Sequence, residues 1–166
     1  MLSNFDLERL ANFYHLPLVA VEMKDELTSK VKDGCYIINL QSSTAGCGTH
    51  WLGLFIYKDI AYFFDSFGGP PPVEVIKFIK KRKGCHLYYN NFIIQDLKSD
   101  NCGFYALAFL LWCYSYVLFS KDMKNMYSDF VDAFSDDTTK NDKILKDFFA
   151  TSETSNRPSV LSRFLK

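Results

Sequence analysis

The chain carries no net charge, with 19 Lys and Arg against 19 Asp and Glu. That argues against a nucleic-acid binder built on a large positive field, although it leaves room for a local basic patch. There is no C-x-x-C pair and no H-x-x-x-H, so the usual spacings of a zinc site are missing. The five cysteines (Cys35, Cys47, Cys85, Cys102 and Cys113) are odd in number. This favours free thiols in a reducing compartment over a disulfide framework. Residues 1–6 (MLSNFD) lack the basic and apolar regions of a secretory signal, so secretion is not expected. No internal repeat and no long linker interrupts the sequence.

Aromatic residues are abundant: 16 Phe, 10 Tyr and 2 Trp make 17% of the chain. A disordered chain is poor in such residues. At 166 residues the chain is read as a single domain, large enough to bury roughly 70% of its unfolded surface. Within it, residues 1–120 read as the main unit and 121–166 as a helical extension.

One run tests for a membrane span. Residues 102–119 contain no charge over 18 positions, the threshold length for a spanning helix. Tyr105, Tyr114, Ser115 and Tyr116 interrupt its apolarity, and Asp100 and Lys121 do not form a basic anchor. The run therefore reads as a buried central helix. Before it, Ser3 caps a first helix to about His15, residues 16–23 are extended, and 35–40 form a buried strand. Residues 41–49 are a small, polar loop. Strands follow at 51–57 and 60–65 with a tight turn between them. Pro72 suits the first turn of a helix to about Lys83. Residues 87–89 and 92–94 read as one strand with Asn90-Asn91 as a turn or bulge. After Lys121, helical spacing runs from Met123 to Phe134 and again over 144–149, and 150–159 is a polar loop. Strands in the middle with helices on either side predict an α+β fold.

Four residues carry potential chemistry: His50, Asp65, Gln95 and Cys102. In the 51–65 hairpin, a loop at Tyr57-Lys58 would put His50 directly opposite Asp65. A loop at Lys58-Asp59 makes them diagonal neighbours on one face, and a three-residue loop would send them to opposite faces. Cys102 falls where the polar stretch 98–101 meets the apolar run. A cysteine at a helix N-terminus has its thiolate stabilised by free N–H groups and the helix dipole. Gly103 keeps that position uncrowded. Gln95 could aim an amide N–H at a developing oxyanion beside the Cys102 backbone N–H. Each residue also has a structural reading: a strand histidine, a turn aspartate, a strand-end glutamine and a small core cysteine.

Several blocks together resemble the adenovirus maturation protease family. They are Gly48-Thr49-His50-Trp51-Leu52-Gly53-Leu54, Tyr62-Phe63-Phe64-Asp65-Ser66-Phe67-Gly68-Gly69 with Pro70-Pro71-Pro72, Gln95-Asp96-Leu97 and Asn101-Cys102-Gly103. That family lies in the wider clan of SUMO- and ubiquitin-like-specific cysteine proteases. The blocks at 48–54 and 62–72 are most similar to the proteases of virophages and Maverick/Polinton elements. The match covers about residues 15–120. The resemblance implies a papain-like, adenain-like core with a small mixed sheet and an endopeptidase activity. Cys102 would be the nucleophile, His50 the base, Asp65 its orienting acid and Gln95 an oxyanion donor, with Trp51 and Gly103 in a substrate groove favouring small residues such as Gly. The implied protein is a monomer acting on capsid or other virion precursors, in the virion, host cytoplasm or virus factory, with no membrane partner and no metal. Adenoviral members are activated by a viral peptide, through a cysteine upstream of the nucleophile, and by DNA. Cys85 stands at a similar place, and Lys77, Lys80, Lys81, Arg82 and Lys83 could touch phosphates.

Three other readings stand beside this one. A deconjugating enzyme for ubiquitin-like modifiers would use the same groove, though no modifier-docking extension is evident. An interaction module could keep the scaffold without the chemistry. A zinc site could draw on Cys47-x-x-His50 and Cys85-His86.

Overall fold

Period-two alternation sorts the strand side chains onto two faces of one sheet. The computed structural model describes residues 1–28 and 30–153. Its strands are β1 (Leu18–Met23), β2 (Gly34–Asn39), β3 (Trp51–Tyr57), β4 (Ile60–Phe64) and β5 (His86–Tyr89), side by side in chain order. β2–β3 and β3–β4 are antiparallel. The edge strands β1 and β5 run parallel to β2 and β4. One face presents Cys35, Ile37, Phe55, Tyr62 and Phe64. The other presents Tyr36, Ile38, Leu52, Leu54 and Phe63, as the pleat requires.

The helices are α1 (Asn4–Phe13), α2 (Val73–Lys80), α3 (Cys102–Leu118), α4 (Met126–Asp132) and α5 (Asn141–Glu153). This is an α+β fold with a mixed sheet flanked by helices, as expected. α2 covers the second face with Val75, Phe78 and Ile79. The other helices gather on the first face around α3. The uncharged run is thus the central helix, with β3 on one side and α1, α4 and α5 on the others. Such surroundings explain why it is apolar all round. Among the described residues no helix is long and apolar enough to cross a membrane.

α3 crosses the sheet over Gly53, where a Cβ would lie 3.2 Å from Phe109 Cδ1 and 3.5 Å from the Ala106 carbonyl. Glycine lets helix and strand approach here. α1 starts on a reciprocal capping box between Ser3 and Asp6, which satisfies two otherwise orphan donors.

Three expectations are corrected. Residues 92–94 are not strand, because the buried Asn90 side chain replaces the ladder: Oδ1 accepts the Asp65 N–H, and Nδ2 donates to the Asp65 and Phe92 carbonyls. The 123–134 pattern is split into a 3-10 turn over Met123–Asn125, started by the Asp122 carboxylate accepting the Lys124 N–H at 2.9 Å, and α4, which begins at Met126 with Asn125 in its cap position. α5 runs on through 150–153, where the sequence predicts loop; the rest of that stretch, 154–159, lies outside the described residues.

α4 and α5 are part of the core. Phe130 meets Phe64 and Phe109 with ring centroids 5.4 Å away in each case, and Trp112 Nε1 donates to the Met126 carbonyl at 3.0 Å. Phe130→Ala should therefore cost about 3–5 kcal/mol, read from urea unfolding as one cooperative transition with a lowered midpoint.

Candidate active site

His50 is delivered by a loop that closes on itself. Asn39 Oδ1 accepts the Gln41 and Thr49 N–H groups at 2.9 and 3.1 Å. Gln41 Oε1 accepts the Gly48 N–H at 2.8 Å, and the His50 carbonyl accepts the Leu40 N–H at 2.8 Å. β3 and β4 pair Tyr57 with Ile60, so the turn is Lys58-Asp59 and His50 and Asp65 are diagonal neighbours. They meet at the end of the sheet, both buried, with His50 Nε2 2.7 Å from Asp65 Oδ1.

Asp65 is itself held by backbone donors. Its Oδ1 accepts the Phe67 N–H at 2.8 Å and its Oδ2 the Gly69 N–H at 3.2 Å. The glycines of the Ser-Phe-Gly-Gly sequence are what permit this. Gly68 has φ +71°, and a Cβ there would lie 2.7 Å from the Phe92 carbonyl oxygen; one on Gly69 would lie 2.6 Å from Asp65 Oδ2. The Phe67 ring packs on the imidazole with centroids 5.0 Å apart. The histidine is thereby fixed both in its plane and at one nitrogen.

Cys102 is the first residue of α3. Its side chain hydrogen-bonds with His50, and the Trp51 and Gly103 backbone N–H groups also serve the sulfur. Burial raises the Cys102 thiol. The His50 hydrogen bond, the Trp51 N–H and the imidazole charge outweigh it, and the net shift is downward. Burial likewise depresses His50, but the bonds to Asp65 and Cys102 and their charges raise it to about 9. Both shifts favour a thiolate beside an imidazolium.

Gln95, seven residues before Cys102, is buried and its amide is pinned. Its Oε1 accepts from Ser66 Oγ at 2.6 Å, and its Nε2 donates to the Ser99 carbonyl at 2.9 Å and approaches Ser99 Oγ at 3.4 Å. The Ser66 carbonyl takes the Ile94 and Gln95 backbone N–H groups. Trp51 is only 5% exposed, and its indole N–H donates to the Leu2 carbonyl at 2.8 Å. Gly103 lies beneath Leu2, Leu7 and Trp51, 3.3 Å from each for an added Cβ. Cys85 is not brought to the site. It packs with the hydrophobic cluster on the opposite face of the sheet, and burial raises its thiol. In the basic run, Lys81 Nζ donates to the Thr28 carbonyl at 3.2 Å, and Arg82 binds Asp33, the Lys58 carbonyl and the Val31 carbonyl. These two cations tie down the β1–β2 connection. Among the described residues no group of three or more His, Cys, Asp or Glu is placed to hold a metal.

Sequence reasoning missed Ser66, Asn90 and Ser99. Nothing local marks Ser66 or Asn90 as the partner of a residue 29 or 25 positions away, or Ser99 as the holder of the Gln95 amide four residues back.

No family model matches the chain, and no curated protein matches it. Solved structures do. The ASFV pS273R protease is 16% identical with a TM-score of 0.49, over 86% of this chain and 61% of that one. Its selenomethionine form is 21% identical with a TM-score of 0.45, over 69% and 42%. The central domain of the uncharacterized Lpg1148 protein from Legionella pneumophila is 13% identical with a TM-score of 0.43, over 93% and 96%. The chain thus spans 42% and 61% of the two ASFV protease chains. These are likenesses of overall shape; what the site can do is read from its own atoms.

The two shifts define a pH window. The thiolate exists from below the ordinary thiol range, and the imidazolium persists to about 9. Thiolate absorbance in the ultraviolet, taken as wild type minus Cys102→Ser, should set in on the acid side of an ordinary thiol. His50→Gln should move that onset upward.

Proposed function

We propose that the chain is a cysteine endopeptidase that cleaves viral capsid or virion precursor proteins during maturation, next to small residues such as Gly. The observation that carries the reading is the line Asp65–His50–Cys102 at the junction of a sheet end and a helix N-terminus. In that line the acid takes Nε2 at 2.7 Å, and the same imidazole favours the thiolate form of Cys102.

The chemistry follows from that order. The Cys102 thiolate attacks the scissile carbonyl, and His50 returns its proton to the departing amine. Asp65 holds the ring and stabilises its charged form. One Gln95 N–H is bound to the Ser99 carbonyl. The other makes only the long approach to Ser99 Oγ and is the one a developing oxyanion would take, together with the Cys102 backbone N–H. Trp51 is covered by the segment around Leu2, so a substrate reaching it would have to displace that segment. The virion-maturation role rests on the motif resemblance; the balanced charge of the chain supports action without DNA.

Cys102→Ala should abolish cleavage of a co-expressed capsid precursor. Gln95→Ala should lower kcat by about 10²–10³ with KM nearly unchanged. Undiminished cleavage by the Cys102 variant would overturn the proposal.

A further inference from the structure

The segment 94–101, which joins Gln95 to Cys102, is gripped from outside by two consecutive residues of α5. Asn141 is fully buried. Its Nδ2 donates to the Ile94 carbonyl at 2.8 Å and to the Ser135 carbonyl at 2.9 Å, and its Oδ1 accepts the Ser135 N–H at 2.8 Å. Asp142 gathers three donors on one carboxylate. Oδ1 accepts from Ser99 Oγ at 2.9 Å and from the Tyr105 hydroxyl at 3.0 Å, and Oδ2 accepts from Asn101 Nδ2 at 3.0 Å. Burial, then the Asp142 charge, push the Tyr105 phenol far up, so it stays a donor.

Each of these donors leads to the oxyanion side of the site. The Ser99 carbonyl holds the Gln95 amide. Asn101 immediately precedes Cys102, and its carbonyl accepts the Tyr105 N–H at 3.1 Å in the first turn of α3. A carboxylate has about four lone-pair sites and can accept from three segments at once. The His50–Asp65 side is built from β3, β4 and Asn90 and makes no bond to Asp142.

We propose that Asp142, supported by Asn141, is a positioning residue that sets the spacing between the Gln95 amide and the Cys102 backbone N–H. This rests on the protease reading. It touches no reacting atom. It makes α5 a working part of the site and separates the two halves: loosening Asp142 should spoil oxyanion binding and leave the thiolate–imidazolium pair intact.

Two small electrophiles tell these halves apart. Iodoacetamide needs only the thiolate. Acetylglycinal forms a hemithioacetal: the Cys102 sulfur bonds to the aldehyde carbon, the carbonyl π pair moves to oxygen, and that oxygen takes the imidazolium proton. It therefore draws on the oxyanion donors as well. In the full chain, Asp142→Ala should weaken acetylglycinal tenfold or more. The iodoacetamide rate and its pH onset should stay within twofold. Asp142→Asn, which keeps an acceptor oxygen, should recover to within threefold. Ser99→Ala removes the Oγ bond to Asp142 together with the Oγ contacts to Gln95 Nε2 and the Asn101 N–H, while leaving every residue of α5 in place; it should show the same split, which keeps the test alive if Asp142→Ala does not fold. Unchanged aldehyde affinity overturns the proposal, as does an equal fall in both reactions alongside a lowered Tm. If the wild type cuts no precursor but the split is present, the protease reading fails and the positioning role stands. If the wild type cuts and the split is absent, the positioning role fails alone.

Discussion

Everything at the site depends on how closely α3 can lie on β3. The contact over Gly53 puts the Ala106 carbonyl and the Phe109 ring where any side chain would stand. With the helix seated there, its first residue comes level with the end of the sheet. Cys102 then meets an imidazole that leaves from the same strand, three residues before the glycine. A helix held even one side chain further out would carry the thiol away from His50. The remaining first-face packing, from α1, α4 and α5, presses α3 into that position.

The electrostatics follow from burial combined with satisfied partners. A buried thiolate or imidazolium alone would be costly. Here each supports the other, and each has further bonds: Asp65 and the Phe67 ring for His50, two backbone N–H groups for Cys102. Asp65 in turn is fed by the Phe67 and Gly69 N–H groups. The result is a chain of charge-assisted hydrogen bonds running from a loop backbone to a sulfur, and each member is fixed before any substrate arrives.

Much of this was legible in the sequence, where local rules apply. Alternation fixed the faces of β2, β3 and β4. The hairpin arithmetic placed His50 and Asp65 as neighbours, with the Lys58-Asp59 turn selecting the diagonal arrangement. The uncharged run marked the central helix, and the polar-to-apolar step at residue 102 marked its start. What escaped was carried by side chains acting over long sequence distances. Asn90 ends the β5 ladder by bonding to Asp65, and no periodicity reveals that. Asn141 and Asp142 lie in a segment whose pattern reads only as an amphipathic helix, yet they bond to Ile94, Ser99, Asn101 and Tyr105.

His50 favours the thiolate form of Cys102. Exposure alone predicts another order of reactivity, because Cys102 is 3% exposed while Cys47 is exposed outright. Intact protein treated with limiting iodoacetamide at mildly acidic pH, digested and mapped by mass spectrometry, separates the two. Label is expected on Cys102 ahead of Cys47. Label on Cys47 with Cys102 unmodified would contradict it.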